Sequence, residues 1–551
     1  MPIIALDAAG GFTRRGRPFV PMGANYWPGS CGVEMLQGWP VDEIRRDLDL
    51  AAALGLNTIR YFARWDHLEP RIGSLDQRMV GRIAAFAGWC GERGLLAHPC
   101  LFVGFMSGGH FWPQGMEGRN PFTDPTLVER GEIMVRAVAE QLRPHADHLL
   151  ALDLGNEPSA IDAAASAGPL ATAAWCGRMV RVAKSALPGL LVCVGNDQNQ
   201  IVGDRGWPFT SQTDCDFLSV HGYPVPGWHP IPFDGMADPL AGELLPAYTA
   251  CARAFGPVLV QEFGTIIGNG PERMRVWLER TLAGCRAAGA NGFLWWCLRD
   301  ITARCHPYRK GGFEQRLGLL DEQGRPRPGS EPFWERVRAW TAAPAPPPQP
   351  VSDVGIYWSA SRDQRDPQEA LGNTSEALGQ RLLACWNALR TSGRTPVIVR
   401  HDQPLPDIPL VNPGAAVGID EAQHLAAWVR QGGRLLWHGI DHATVGSDME
   451  ALLGAKPIDH RLPMMAELPT AAGPLRCAAY PRQVCLEMDP GVGEVLIRDP
   501  RGIPMAALTA NGAGRILWTP ALLDAAGLVP DNRPALAAWY GEALGRLAVA
   551  G

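Results

Sequence analysis

The sequence predicts an α/β chain: a (β/α)8 barrel over residues 1–340, then a smaller α/β domain with some added β structure. Three observations predict it. Eight apolar runs of strand length are interleaved with helix-patterned segments across the first part of the chain. The runs are nearly continuous in apolar character, which marks strands buried on both faces, as in a parallel sheet. Residues suited to chemistry fall at or near the C-terminal ends of these runs: Arg60, Asn156, Glu157, His221, Glu262 and Trp296. A doubly wound sheet satisfies the first two observations. The third favours the barrel, which builds its sites on that face.

The elements follow in order. Pro21–Tyr26 reads as a strand entering an aromatic loop. Val41–Leu54 has helical spacing, with Ile44, Leu48, Ala51 and Ala52 on one face and Asp42, Glu43 and Arg46 outside. Asn57–Phe62 is the second strand, and a helix covers about Gln77–Glu92. The third strand, Leu95–Val103, runs into a long loop with Phe111, Trp112 and Pro113. A helix near Leu127–Leu142 leads to the fourth run, His148–Leu154, which ends in Gly155-Asn156-Glu157-Pro158. Ala171–Ala186 is helical and Leu190–Val194 is the fifth strand. Asp216–His221 is the sixth, closing on His221-Gly222-Tyr223-Pro224. A helix over Ala241–Phe255 precedes the seventh, Pro257–Gln261, which meets Glu262-Phe263-Gly264. The helix Arg273–Ala288 and the strand Gly292–Leu298 complete a TIM barrel with inserted loops.

Thr341–Pro350 is proline-rich and stiff, and marks a domain boundary. Residues 351–551 then read as a second α/β domain. Its strands are Val354–Trp358, Pro396–Val399, Gly433–Trp437 and Arg515–Trp518. Its helices cover Thr374–Arg390, a segment around Leu425–Val429, and Pro534–Val549. From about Asp448 the chain is punctuated by Pro and Gly, and short runs such as Gln483–Met488 and Glu494–Ile497 predict local β structure.

Composition bounds the function. Hydrophobic residues at 46% and charged residues at 19% describe an ordinary globular chain. A net charge of −6 without runs of like charge argues against nucleic acid and anionic membranes as partners. No apolar stretch is long enough to span a bilayer. Met1–Asp7 has no basic start or long apolar core, so no signal peptide and a cytoplasmic location are expected. The 13 cysteines form no CxxC and no close Cys/His cluster, which predicts reduced, buried thiols; neither a metal nor an organic cofactor is expected.

Glu157 and Glu262 carry most of the chemical information. An ionisable group at the mouth of a buried strand is unfavourable unless something uses it. Two such carboxyl groups are the minimum equipment for cleaving a glycosidic bond: one protonates the leaving oxygen, the other attacks the sugar or activates water. Asn156 precedes the first and suits a hydrogen bond to a sugar hydroxyl. Arg60 suits holding a neighbouring carboxylate ionised, or an interior salt bridge. His221 and Tyr223 are two apart and project to one side of an extended chain; Tyr223 suits a hydrogen bond to the attacking carboxylate and His221 suits holding the acid carboxyl or a sugar hydroxyl, though a His-x-Tyr is more often packing. Of the adjacent Trp295 and Trp296, one faces the barrel interior, and Trp296 is the candidate floor under a sugar ring. Taken singly, each has a bland reading as a polar turn, a salt bridge or a packed ring; the combination is more specific.

In this order on successive strands, these motifs resemble glycoside hydrolase clan A, and family 5 most closely. The matching pieces are Asn57-Thr58-Ile59-Arg60, Gly155-Asn156-Glu157-Pro158, His221-Gly222-Tyr223, Gln261-Glu262-Phe263-Gly264 and Phe293-Leu294-Trp295-Trp296, with Glu314–Asp321 similar to the tail of clan barrels. The resemblance covers about residues 15–340. It implies a retaining mechanism with Glu157 as acid/base and Glu262 as nucleophile, their carboxyl groups about 5–5.5 Å apart. Family 5 barrels usually carry a His near the end of the third strand; here His98 sits early in its strand and His110 lies in the loop.

Residues after the linker resemble the amidotransferase-like, flavodoxin-like domain that follows the barrel in family 42 β-galactosidases and supports trimer assembly there. Ala426–Val429 running into Gly432–Leu436, and later Gly512–Leu517, carry the likeness. Cys385, Cys477 and Cys485 are not placed as a nucleophile elbow requires, so this domain is expected to be non-catalytic: an assembly surface for a homo-oligomer or a wall of the sugar site. The substrate expected is a small carbohydrate. Blocking of one end of the cleft by the Phe102–Pro113 loop would favour exo action of β-galactosidase or β-mannosidase type. An endo-acting mannanase or glucanase, and a non-catalytic sugar-binding barrel, are the alternatives.

Overall fold

The computed structural model describes residues 3–198, 206–265, 270–310, 312–349, 351–362, 375–440, 446–461, 467–476 and 485–548. The chain divides into two compact units, one running to residue 349, the other comprising residues 350–551 with the short segment 229–233.

The first unit is an eight-stranded parallel barrel. Its strands are β1 (Met22–Tyr26), β2 (Thr58–Arg64), β3 (Leu96–Val103), β4 (Leu152–Asn156), β5 (Val192–Gly195), β6 (Leu218–Gly222), β7 (Val258–Phe263) and β8 (Ala290–Trp295). They are ordered β5-β4-β3-β2-β1-β8-β7-β6. Every residue of all eight is buried, which explains the absence of alternation in the sequence. The ring closes between β5 and β6 without a regular ladder. Asp216 N–H donates to the Val192 carbonyl, His221 N–H to the Asn196 carbonyl, and Ser219 Oγ donates to the Val194 carbonyl while accepting from Asn196 N–H.

Helices wrap the outside: α1 (Val41–Ala53), α2 (Gln77–Gly91), α3 (Pro125–Leu142), α4 (Pro169–Ala186), α5 (Ala241–Arg253), α6 (Pro271–Ala287) and α7 (Glu331–Ala342). Asp76 and Asp124 begin α2 and α3 by accepting two backbone N–H groups each. Such a cap contributes about 1 kcal/mol and fixes where the helix starts. Asp124 and Pro125 therefore start α3 two residues before the expected Leu127. α7 runs through Thr341 and Ala342, the first two residues of the expected linker.

A small antiparallel sheet, Ile4–Leu6, Phe12–Arg14 and Arg17–Pro18, was not expected from the sequence. Ile4 and Phe12 pack with Leu96, Leu150, Phe217 and Leu259, near the starts of barrel strands, and with Leu294 of β8. They plug the N-terminal end, so the opposite end is the one left for a site.

The second unit holds β9 (Val354–Trp358), β10 (Pro396–Arg400), β11 (Leu410–Asn412), β12 (Arg434–His438), β13 (Glu494–Arg498), β14 (Pro504–Asn511) and β15 (Gly514–Thr519). The order is β10-β9-β11-β12-β15-β14-β13. The first five are parallel in the 2-1-3-4-5 order of flavodoxin-like sheets. The added β structure partly joins this sheet, since β13 and β14 extend it antiparallel. The rest forms two-stranded pairs, Lys456–Arg461 with Cys485–Asp489 and Glu467–Thr470 with Gly473–Arg476. Helices α8 (Ser375–Thr391), α9 (Ile419–Arg430) and α10 (Arg533–Ala548) lie near the expected positions. Thr374, Cys477, Gln483, Val549 and the linker's Pro350, named in the sequence reading, lie outside the described residues. Among the described residues no helix is long and apolar enough to cross a membrane.

Candidate active site

The barrel's open end gathers the strand-terminal residues. β4 ends at Asn156, and Glu157 turns the chain away with φ 50° and ψ 57°, a left-handed conformation rare outside glycine. Its N–H is held by the Gly195 carbonyl at 2.8 Å. Glu262 lies inside β7, in register with His221 on β6. One carboxylate oxygen of Glu157, one of Glu262 and a ring nitrogen of His221 all lie within 4.8 Å of one another. That approach suits two carboxyl groups acting on one anomeric carbon and leaves no room for the roughly 6.5–9.5 Å separation of inverting pairs.

Arg60 organises the floor. Register places Asn25, Arg60 and His98 abreast on β1, β2 and β3. The Arg60 guanidinium is fully buried, and donates through Nε and Nη2 to Asp153 Oδ2 at 2.9 and 2.7 Å. It also donates through Nη1 to Asn25 Oδ1 at 3.0 Å and Glu262 Oε2 at 2.9 Å, and through Nη2 to Asn156 Oδ1 at 2.9 Å. Burial alone would lower its affinity for its proton; Asp153 above all, with Cys100 and Glu262, raises it above the ordinary arginine value. Its planar fork serves two carboxylates and two amides at once, which a lysine cannot do.

The two glutamates differ in what surrounds them. Burial pushes Glu157 up to about 8, and the Asp197 carboxylate adds to this against the pull of Arg60. Burial also raises Glu262, but Arg60 and the Tyr223 hydroxyl bond pull it back. Both Glu262 oxygens accept from donors, Oε2 from Arg60 and Oε1 from the Tyr223 hydroxyl. The Glu157 contact is His221 Nδ1 at 2.8 Å, and burial lowers His221 below the usual histidine value. The arrangement therefore favours a protonated Glu157 beside an ionised Glu262, a division of labour set by environment.

A cavity of about 500 Å³, in the range of small-ligand sites, opens over this pair. Of the sequence-predicted residues, Asn156, Glu157, Tyr223, Glu262 and Trp296 line it. Arg60 and His221 do not; they are fully buried and touch the carboxyl groups from behind. The choice between the adjacent tryptophans falls to Trp296. Its indole N–H donates to Glu314 Oε2 at 3.1 Å, whereas Trp295 is fully buried against Phe263 and Phe333 and donates to the Leu317 carbonyl. His98 is buried in the barrel and His110 is exposed, and neither lines the cavity.

Further lining residues were not among the candidate site residues, although the Phe102–Pro113 loop was expected at one end of the cleft. Glu314 is a third carboxyl group in the cavity, pushed up to about 7 by burial. Asp197 follows β5 and accepts from the Ser159 hydroxyl at 2.6 Å. Phe105–Gly108 come from the loop after β3, where Phe105–Met106 pairs with Gly109–His110 as a hairpin. Trp228 and Phe313 add aromatic wall.

Two groups could offer metal ligands among the described residues: Glu157, His221 and Glu262, and below them His98, Asp153 and Cys193. The Arg60 guanidinium already occupies the cation's place, bonded to Glu262 in the first group and Asp153 in the second. The donor sets suit hydrogen-bonded carboxyl chemistry rather than ion coordination.

No family model and no curated protein matches the chain. Solved structures do. The exo-β-1,4-mannosidase Op5Man5 from Opitutaceae bacterium strain TAV5 is 40% identical over 98% of both chains, with a TM-score of 0.89. A GH5_18 variant from Streptomyces cattleya, in complex with Manβ1-4GlcNAc, aligns with 69% of this chain and 94% of its own at 23% identity and TM-score 0.60, a likeness of fold. The β-galactosidase from the Antarctic haloarchaeon Halorubrum lacusprofundi covers 96% of this chain and 90% of its own at 17% identity and TM-score 0.70, so its likeness extends over both units. With near-complete coverage by a mannosidase of substantial identity, the chain belongs to glycoside hydrolase clan A: it is a retaining β-glycosidase with a family 5-like barrel and a C-terminal domain resembling that of the family 42 β-galactosidases.

Proposed function

We propose that the chain is an exo-acting β-mannosidase that removes terminal mannose from short β-linked oligosaccharides, with Glu262 as nucleophile and Glu157 as acid/base. The observation that carries the roles is the contrast in surroundings: Glu262 receives Arg60 and Tyr223 on its two oxygens, while Glu157 is raised to about 8 beside a neutral His221. Glu262 attacks the anomeric carbon as the Glu157 proton passes to the departing glycosidic oxygen. Glu157, now a carboxylate, takes a proton from water, whose oxygen attacks the same carbon and releases Glu262. Asn156 presents its amide to the cavity, where it meets a sugar hydroxyl, and the Trp296 ring lies under the sugar face.

Mannose is favoured by the 40% identity, over 98% of the chain, to a protein described as an exo-β-1,4-mannosidase. Exo action is favoured by the hairpin after β3, whose Phe105–Gly108 wall the cavity. The second unit is assigned an assembly role rather than amidotransferase chemistry. Cys385 sits mid-helix in α8, fully buried, and burial holds its thiol far above the ordinary cysteine value.

Nitrophenyl β-glycosides of mannose, galactose and glucose test the sugar; faster turnover of the galactoside would overturn the mannose assignment. Glu157→Ala should retain kcat/KM on a dinitrophenyl glycoside, whose leaving group needs no proton, with kcat lowered for want of the base in the second step, and should lose the natural oligosaccharide. Glu262→Ala should lose both. The opposite pattern would exchange the roles.

A further inference from the structure

Behind the catalytic pair lies a chain of hydrogen bonds that the two-carboxylate mechanism does not require. It runs from the Ala151 carbonyl through His98, Gln261 and His221 to Glu157. We infer that Gln261 and His98 are positioning residues that fix the direction of every bond in this chain, so that the carboxyl facing His221 must carry the proton. The inference rests on the proposed role of Glu157 as the acid.

The direction follows from groups that can only accept. A backbone carbonyl has no proton, so His98 Nδ1, 2.9 Å from Ala151 O, carries one. Burial lowers His98 to about 4, so the ring is neutral and its Nε2 is bare. That nitrogen accepts from the Gln261 amide nitrogen at 2.7 Å. The same amide nitrogen donates to Asp153 Oδ2 at 3.1 Å, a carboxylate clamped by Arg60. Rotating the Gln261 amide would set its oxygen against two acceptors, so Oε1 stays turned toward His221. His221 Nε2, 3.0 Å away, must donate to it. A neutral His221 has one proton, and Nε2 holds it. Its bare Nδ1 then faces Glu157 Oε1 at 2.8 Å, where only a Glu157 O–H satisfies both atoms.

The other charged groups around the pair do not replace this control. Asp197, after β5, favours the protonated acid, while Arg60 on β2 opposes it. Glu262 on β7 lies 3.6 Å from His221 Nδ1, and Asp153 on β4 also favours the protonated ring, yet burial and Arg60 outweigh them. Tyr223 is bonded to Glu262, and Glu314 to the Trp296 indole.

The device acts on both half-reactions. For Glu157 to give its proton to the leaving oxygen, the O–H must first turn from His221 Nδ1 into the cavity; the O–H pair then stays on the carboxylate and the broken C–O pair goes to the alcohol. The new carboxylate then faces a lone pair on His221 instead of a donor. It is a stronger base for the incoming water than it would be beside a protonated ring.

Neutron diffraction from deuterium-exchanged crystals of the full chain near neutral pH tests the directions without a variant. Deuterons are expected on His98 Nδ1, His221 Nε2 and Glu157, with none on His221 Nδ1; a deuteron on His221 Nδ1 would overturn the proposal. Gln261→Met removes the acceptor while keeping a side chain of similar length. The basic limb of kcat/KM on nitrophenyl β-mannoside should fall by about one pH unit, while that on the dinitrophenyl glycoside stays. An unmoved basic limb, or equal shifts on both substrates, would refute control through Gln261. If Glu157→Ala showed no preference for the better leaving group, the assignment of Glu157 as acid would fail, whatever the deuterons show. If that preference holds and the deuteron lies on His221 Nδ1, only the relay fails.

Discussion

Replacing Arg60 by lysine should move the acid limb of the pH–rate profile up by about one to two units. The guanidinium reaches Asp153 with Nε and Nη2 and Glu262 with Nη1. A lysine ammonium keeps the charge but is a single point; at the Asp153 end it leaves Glu262 without its cationic donor. Unit charges about 3 Å apart interact by roughly 5 kcal/mol at an effective dielectric of about 20. The net value of a charged hydrogen bond is smaller, about 1.5–3 kcal/mol. At about 1.4 kcal/mol per pH unit, that gives the expected shift. The sign follows from the nucleophile's need for charge. Arg60 favours the ionised Glu262, so its loss raises the pH at which Glu262 becomes competent. Arg60 also lowers Glu157, so the basic limb should rise as well, by less. Lysine is the better variant because Arg60→Met would strand the buried Asp153, a loss of about 3–5 kcal/mol of stability. The assay is kcat/KM on nitrophenyl β-mannoside across pH, with a thermal melt to check folding. A lower plateau with the acid limb unmoved would refute the claim that Arg60 sustains the nucleophile's charge.

Three further outcomes follow from the site. Glu157 is raised from an ordinary value near 4.5 to about 8, so the folded state binds the proton more tightly than the unfolded chain, and wild-type stability should fall as pH rises through that window; Glu157→Gln should melt above wild type near pH 8 and close to it below 4.5, and parallel melting curves across pH would contradict the shift. Glu314→Ala should raise KM for the mannoside by about tenfold by releasing the Trp296 indole, whereas Glu314→Gln, which keeps an acceptor, should stay near wild type below pH 7; equal effects of both variants would sink the positioning of Trp296 by that bond. The full chain should form a homo-oligomer by light scattering, and one shortened to about Thr341 should not; a monomeric full chain would remove the assembly role of the second unit.

The barrel was legible in the sequence because its strands are buried on both faces and so appear as apolar runs. Glu157 and Glu262 stood out for the same reason, as charges at the ends of those runs. Asp153 and Gln261 lay in plain view within the same strands, but a polar residue inside an apolar run carries no mark of which neighbour it meets. Arg60 is the fourth residue of its strand region counted from Asn57, and only the closed barrel shows that it lies abreast of Asn25 on β1 and serves Asp153 on β4. Glu314 was illegible because it sits in a short turn, Phe313–Arg316, where no periodicity assigns a face. The Ile4–Pro18 sheet was missed because strands of two or three residues are too short to display alternation. The closure between β5 and β6 depends on the Ser219 hydroxyl, whose role is fixed only when the ring forms.

The left-handed backbone at Glu157 has a bearing on this chain's descent. A side chain larger than glycine at φ 50° is unfavourable by about 1 kcal/mol, and aspartate and asparagine tolerate that region better than glutamate does. Selection for folding alone therefore opposes the residue that selection for turnover retains. A descendant copy released from hydrolysis would gain stability by drifting to Gly or Asn at position 157 while keeping the barrel intact. Glutamate there is a record of continuous use, and its replacement by glycine or asparagine among related genes would be an early sign that hydrolysis had been abandoned before the fold was.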